Sequence, residues 1–437
     1  MMPGLRRRAC AAATALVAHV VLLPAPASAQ PTTTSASPGQ DDPAKGDQTA
    51  THDGTAPPVV EESKKQAAAV DLSLVYTGEL WRNATGGLRR GERYLDNLDV
   101  TLTVDADRAL GWKGATLFVY GLYNNGRALS GDLVGDAQTV SNIETGVRAA
   151  RLYEAWVEQR FAGDRVSIKV GLYDLNSEFD TSDVGSLSLL SSHGIGPEFA
   201  QSGRNGPSIF PVTSLAIRGD YKLDDRWTLR AAVLDGVPGD PDHPSRTAIK
   251  LGHGDGALIV GEAAYARGDT KAAVGYWRYT ARFAPILPDD GGATRRGNDG
   301  AYLVVERRLT HPGIPTGPED KRGLAAFVQL GVADGGINPI ARYAGGGLVY
   351  TGLLRPEGDD RMGMTIARAG FSRPYRRRAV LDGGRADLAE AVLELTYRTP
   401  LTKWLTLQPD LQYVRNPSAN PTLGNALAIG VRFEVGL

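Results

Sequence analysis

Residues 151–173, RLYEAWVEQRFAGDRVSIKVGLY, alternate between apolar and polar positions with a period of two. Tyr153, Ala155, Val157 and Phe161 fall on one side and Glu154, Trp156, Glu158 and Arg160 on the other, with Gln159 a misfit on the apolar side. That period predicts a strand with one apolar and one wet face. After Ala162-Gly163-Asp164 the alternation resumes, Val166, Ile168, Val170 and Leu172 opposing Arg165, Ser167, Lys169 and Tyr173, so the whole segment predicts an antiparallel hairpin. The polar face is charged along nearly its whole length, which a dry core does not tolerate without pairing. Taken alone, the hairpin favours a soluble sandwich, with a membrane barrel as the other architecture that gives its two faces unlike surroundings.

The rest of the chain reverses that preference. Period-two segments recur near 69–82, 95–105, 114–125, 148–161, 165–173, 212–222, 226–235, 256–266, 270–283, 300–309, 323–333, 341–354, 361–371, 388–398, 402–414 and 425–437. About sixteen strands is an even count within the range of outer-membrane barrels. The alternation is faint in several segments, above all in 341–354, where Gly345-Gly346-Gly347 blurs it. Short links at 162–164, 223–225, 267–269 and 399–401 alternate with long ones at 126–147, 174–211, 236–255, 284–299 and 372–387, and 310–322 is overlong for the short class. Two unlike rims sort loops in this way, and a soluble sandwich has no reason to. The last segment sets Leu427, Ile429, Val431, Phe433, Val435 and Leu437 against Ala428, Gly430, Arg432 and Glu434. Segment 402–414 sets Leu405, Leu407, Leu411 and Tyr413 against Trp404, Thr406, Gln408, Asp410 and Gln412, with Pro409 calling for a bulge or a weakly paired position. Tyr76, Trp81, Tyr94, Trp227, Tyr397 and Tyr413 stand near strand ends, where membrane barrels carry aromatic girdles.

The N-terminus changes the compartment. MMPGLRRRAC, an apolar run to Leu23 and Ala27-Ser28-Ala29 predict a secretory signal peptide over 1–29, cleaved after Ala29. Residues 30–67, rich in Pro, Thr, Ser, Asp and Lys, read as a disordered periplasmic leader, and 68–437 as the barrel domain. The single cysteine, Cys10, leaves with the peptide, so the mature chain has no disulfide. It then carries 45 basic and 49 acidic residues, a net charge of −4 that suggests no nucleic-acid partner.

YLDNLDVTLTVDADRALGWKGATLFVYGLYNNG at 94–126, GDAQTVSNIE at 135–144, RLYEAWVEQRF at 151–161, VGLYDLNSEFD at 170–180 and ELTYRTPLTKWLTLQPDLQYVRNP at 394–417, in that order, resemble the carbohydrate-selective porin family of OprB type. The resemblance runs from about residue 70 to 437. It implies a transmembrane antiparallel β-barrel of sixteen strands in the Gram-negative outer membrane, with short periplasmic turns and long extracellular loops. It implies passive diffusion of sugars, narrowed by the third long loop folded inward, here 174–211. The terminal amphipathic strand resembles the signal read by the barrel-assembly machinery, with Leu437 where an aromatic residue is usual.

Sugar passage requires groups that exchange hydrogen bonds with hydroxyls and flat surfaces for ring faces, without deep binding. Glu154, Trp156 and Glu158 offer carboxylates flanking an indole plane, and Lys169 and Tyr173 continue that face across the turn. Glu79 and Trp81 share a face of the first strand, while Arg218 and Arg230 take polar-face positions on the sixth and seventh. Opposed acids and bases set a transverse field across a lumen. Asp174, Glu178 and Asp180 begin the long loop, at the expected constriction, without a spacing that specifies calcium. No cofactor and no catalysis is expected: the only hint of a hydrolytic site is His193 beside Ser191 and Ser192. A general or anion-leaning porin, a barrel enzyme and a secreted all-β binding protein are the competing readings.

Overall fold

A computed structural model describes residues 68–288, 292–311, 321–355 and 360–436. The expected signal peptide, the leader over 30–67 and the terminal Leu437 lie outside the described residues. Sixteen strands close into one barrel in which each pairs antiparallel with its sequence neighbours and the first with the last. The first four are β1 (Val70–Gly87), β2 (Gly91–Asp105), β3 (Ala115–Asn124) and β4 (Ala149–Phe161). Then come β5 (Val166–Tyr173), β6 (Ser214–Lys222), β7 (Trp227–Asp235) and β8 (Ala257–Arg267). The third quarter is β9 (Thr270–Phe283), β10 (Arg295–Arg308), β11 (Gly323–Ala333) and β12 (Ile340–Thr351). The last is β13 (Arg361–Phe371), β14 (Ala389–Pro400), β15 (Leu405–Arg415) and β16 (Gly424–Gly436).

One rim carries connections L1 to L8, residues 88–90, 125–148, 174–213, 236–256, 284–294, 334–339, 372–388 and 416–423. The other carries mostly tight turns, such as 162–165, 223–226, 268–269 and 401–404. The sorting of loops by rim is therefore real, though L1, L6 and L8 are short. L1 is shorter than the sequence suggests. Polar residues at 83–94 read as a connection, yet Asn83 stays paired to Gly91, and β1 and β2 run on past the point where alternation fades.

Every strand presents a large apolar side chain to the outside, among them Leu80, Val170, Ile217, Val274, Ile366, Leu393 and Ile429. A continuous apolar belt of this extent marks a lipid-facing surface. Around it, the rings of Trp227 and Tyr265 lie 4.9 Å apart near the tight-turn rim, and the Tyr76 and Tyr94 hydroxyls meet at 2.6 Å. Trp81 does not belong to that girdle. Its parity on β1 turns it inward, where its indole N–H donates to Glu79 at 2.6 Å.

Two irregularities place side chains where simple alternation does not. In the β3–β4 ladder, Tyr120 faces Glu154 but Gly121 faces Leu152, so Tyr153 is an extra residue. The bulge re-aims it: Leu152 points out and Tyr153, assigned to the apolar outer face by its period, points in and is buried. At Pro409, whose ring removes a donor, the β14 ladder has a gap opposite Tyr397 and Arg398, while the β16 ladder runs through. That is the weakly paired position the sequence calls for.

Glycines on the inner wall make room for aromatic side chains. A Cβ on Gly300 would stand 2.3 Å from the Trp277 ring and 2.4 Å from the Val332 carbonyl oxygen, neither of which yields cheaply. Gly345 is similar, its Cβ falling 2.2 Å from the Tyr343 hydroxyl, which explains part of the glycine run that blurs β12. Gly300→Val is expected to lower the folded fraction, at a cost of about 1–3 kcal/mol from overpacking. Heat-modifiable electrophoretic mobility of refolded protein measures this, and an unchanged folded fraction would refute the packing account.

Candidate functional site

The lumen is occupied by two loops. L3 leaves β5 at Tyr173 and nearly all of its residues to Thr213 are buried or half-buried inside the wall; L2 enters from the neighbouring gap and is buried from Asp136 to Glu144 apart from a half-buried Asp136. They join each other backbone to backbone, Asn142 N–H donating to the Leu189 carbonyl at 2.9 Å and Ser191 N–H to that of Thr139 at 3.1 Å. Side chains add to the seam: Ser191 Oγ donates to the Gln138 carbonyl at 2.5 Å and Gln201 Nε2 to that of Ala137 at 2.6 Å.

Inward-facing carboxylates hold the loops, because strands present acceptors and inserted loops present unpaired backbone N–H donors. Glu394 accepts from Leu189 N–H at 2.6 Å, Leu190 N–H at 3.4 Å and the Ser188 hydroxyl. Glu390 accepts from the N–H groups of Ala137 at 2.8 Å and Gln138 at 3.0 Å. Glu306 takes Ser182 Oγ at 2.8 Å and Val184 N–H at 3.1 Å, and Glu262 takes Asp180 N–H at 3.2 Å with the Tyr302 hydroxyl at 2.8 Å. None of these four was singled out by the sequence. Only their inward parity could have marked them, because the L2 and L3 groups they hold, main-chain N–H groups and serine hydroxyls, lie 80 and more residues away along the chain.

The residues expected to line a pore all face inward and divide between two walls. On one, Glu79 receives Arg432 Nε at 2.6 Å, Trp81 Nε1 and Ser141 Oγ at 2.6 Å, and Arg432 also reaches Asn142, so this pair fastens L2. On the other, Glu154 accepts Asp174 N–H at 2.8 Å while Tyr153, the bulge residue, donates to Asp174 Oδ2 at 2.6 Å. Next to them Glu178 is gripped by Arg218 through Nε at 2.7 Å and Nη2 at 2.5 Å, by Lys169 at 3.1 Å and by the Tyr173 hydroxyl. Arg218 also reaches Glu158 at 2.9 Å, and Arg230 donates to the Glu178 carbonyl. The bulge and the pleat thus bring eight of the ten candidates into one charged cluster at the entry of L3.

Trp156 sits within that cluster, its plane stacked on Phe118 at 4.9 Å and 24°, with Lys169 Nζ 4.1 Å from its ring centroid. Both faces of the indole are occupied, which holds the ammonium in a fixed place. Phe199, from the short helix α1 (Pro197–Ala200) in L3, stacks on Trp277 of the far wall at 4.8 Å and 4°. Toward the tight-turn rim, acids and bases form largely buried pairs: Arg160–Glu158 at 3.5 Å, Arg230–Asp220 at 3.3 Å, Lys271–Asp183, and Arg398–Glu434 at 2.8 Å.

L4 closes the gap that L3 leaves in the wall, Thr247 Oγ1 bonding both the N–H and the carbonyl of Leu152 at 2.7 and 3.1 Å. Within L4, hydrogen bonds from Lys250 and His243 hold the Asp240 carboxyl down at about 2. His193 bonds Tyr343 of β12 at 3.2 Å, tying L3 to the wall, and the hydroxyls of Ser191 and Ser192 go to Gln138 of L2, tying loop to loop.

A family model described as carbohydrate-selective porin, OprB family, matches residues 89–437. Porin B of Pseudomonas aeruginosa is 26% identical over 408 residues, spanning 83% of this chain and 87% of that protein. The putative porin QuiX of Acinetobacter baylyi is 21% identical over 365 residues, 76% of this chain and 80% of that one. Among solved structures, the high-pH structure of Pseudomonas putida OprB superposes with a TM-score of 0.75 at 22% identity, covering 84% of this chain and 94% of that chain. That likeness carries the fold.

Proposed function

Because this chain belongs to the carbohydrate-selective porin family of OprB type, an outer-membrane family of sugar channels, we propose that its joined L2 and L3 are the filter through which sugars diffuse passively toward the periplasm. The observation that carries this reading is the seam between the two loops, pinned to the wall on opposite sides by Glu79, Glu390 and Glu394 and by the Arg218–Glu178 cluster. A filter so held keeps a fixed outline while offering hydroxyl, amide and charged groups, which exchange bonds with sugar hydroxyls at little net cost. Family and fold describe a channel rather than an enzyme. L1 to L8 form the outer rim, the tight turns face the periplasm, residues 1–29 direct export, and the last strand is read by the assembly machinery. Mono- and oligosaccharides are the solutes.

The paired acids and bases below the filter set up the transverse field, which orients a polar solute and disfavours a bare ion. Planar-bilayer conductance of purified protein with glucose or maltodextrins titrated in tests the assignment. Pores blocked by sugar support it, sugar-blind pores point instead to a general or anion-leaning porin, and absence of pores defeats both.

Trp156→Ala is expected to weaken sugar block several-fold with a smaller change in salt conductance, since losing a cation–π support of about 1–2 kcal/mol lets Lys169 wander. Unchanged block would remove the residue from the filter.

A further inference from the structure

Charged side chains at the outer end of the apolar belt are paired at some positions and unpaired at others. Arg82 meets Glu92 at 3.0 Å and Arg278 meets Asp299 at 3.5 Å, so these two arginines are neutralised, although Arg282 and Arg296 beyond them are exposed and make no ion pair among the described residues. Arg342 on β12, Arg368 on β13 and Arg415 on β15 are exposed and make no ion pair among the described residues. Each continues an outward row of lipid-facing residues, Arg368 following Met364 and Ile366, Arg415 following Leu411 and Tyr413. Arg368 and Arg415 lie in one row across the barrel, both opposite Ala391 of the intervening strand, and so stand two strand spacings apart, roughly 10 Å. A Cβ on Gly370 would touch Arg342 Cβ at 3.4 Å and Arg368 Nη1 at 3.7 Å, so these two guanidinium stems are neighbours on the same surface.

L7 is not part of this patch. Its helix α2 (Arg373–Leu381), N-capped by Ser372, packs Tyr375 against the inward-facing Phe371 at 5.1 Å, on the lumen side of β13 with Ala137 and Ile340. Its apolar Val380 and Leu381 are exposed. The long arginine side chains snorkel outward along the belt, so guanidinium groups without carboxylates of their own reach the level where hydrocarbon gives way to head groups and match the phosphates there. Between Arg368 and Arg415 only the small, half-buried Ala391 intervenes.

We propose that the β12–β15 sector is a docking surface for the phosphorylated glycolipid of the outer leaflet, with Arg342, Arg368 and Arg415 gripping its lipid A phosphates. This rests on the assignment of L1 to L8 to the outer rim. The arginines anchor the barrel at fixed depth and hold a lipid ring around that sector, a role separate from the lumen.

Native mass spectrometry of the detergent-solubilised full chain with purified lipid A titrated in tests the idea. The triple variant Arg342→Gln/Arg368→Gln/Arg415→Gln should retain roughly tenfold less lipid A, given what a charged hydrogen bond contributes, while Arg82→Gln/Arg278→Gln retains wild-type levels. Dephosphorylated lipid A and phosphatidylglycerol should bind wild-type protein weakly. Equal retention by the triple variant, or equal binding of the dephosphorylated lipid, would overturn the proposal. Sugar-sensitive conductance of the triple variant should match wild type, so a failed lipid result is distinguishable from a failed channel assignment, and that conductance also shows the variant folded.

Discussion

Arg218→Ala is expected to free the entry of L3, raising single-channel conductance and current noise and abolishing sugar block. The guanidinium makes bonds to both Glu178 and Glu158 within a cluster that is almost wholly buried. Removing it leaves Glu178 with Lys169, the Tyr173 hydroxyl and nearby Arg230, and Glu158 with the more exposed Arg160, and breaking a buried pair from one side costs about 3–5 kcal/mol. Glu178 is the fifth residue after Tyr173, the last of β5, so that cost falls on the point where the loop turns into the lumen. The barrel should survive, because its ladders do not pass through Arg218's side chain. Arg218→Lys keeps the charge and loses the fork, so it should fall between the two. Wild-type sugar block in Arg218→Ala would mean that L3 is held by its other contacts alone.

Ile366→Arg is expected to cost about 2–4 kcal/mol of insertion free energy, the figure for arginine facing lipid near the middle of the bilayer. Ile366 is the central residue of β13, exposed by 57% on the outer face. Leu223→Arg, in the tight turn between β6 and β7, is the control and should cost about 0–1 kcal/mol because it sits at the rim. Urea-dependent folding into lipid vesicles separates them. Equal loss, or none, would deny that the outer face meets hydrocarbon.

The strands were legible because lipid outside and water inside impose a strict two-residue period, and only glycines or a bulge disturb it. All sixteen appear in the expected order, with the hairpin 151–173 and the inward third loop where the alternation and the resemblance put them. Tyr153 was misread because a bulge adds one residue without altering composition: Tyr is at home on either face, so the reversed parity left no mark. L1 was misread because Arg82, Asn83, Thr85 and Glu92 are polar on both faces of a hairpin that outruns the belt. The candidate site was legible in its residues and not in their roles. Inward acids such as Glu154 and Glu79 read as pore lining, and their bonds to Asp174 N–H and Ser141 Oγ depend on loops returning from far along the chain.

The way the two loops are fastened has an evolutionary consequence. Glu390 and Glu394 read main-chain N–H groups at Ala137, Gln138, Leu189 and Leu190, and every residue except proline supplies that donor. Substitutions along these stretches that keep the buried volume of Ala137, Leu189 and Leu190 therefore leave the anchoring bonds intact, and the outline of the aperture persists. A lineage adapting to a new nutrient can re-tailor the solute-facing chemistry one residue at a time, and an engineer can do the same, without redesigning the scaffold that keeps the aperture in place.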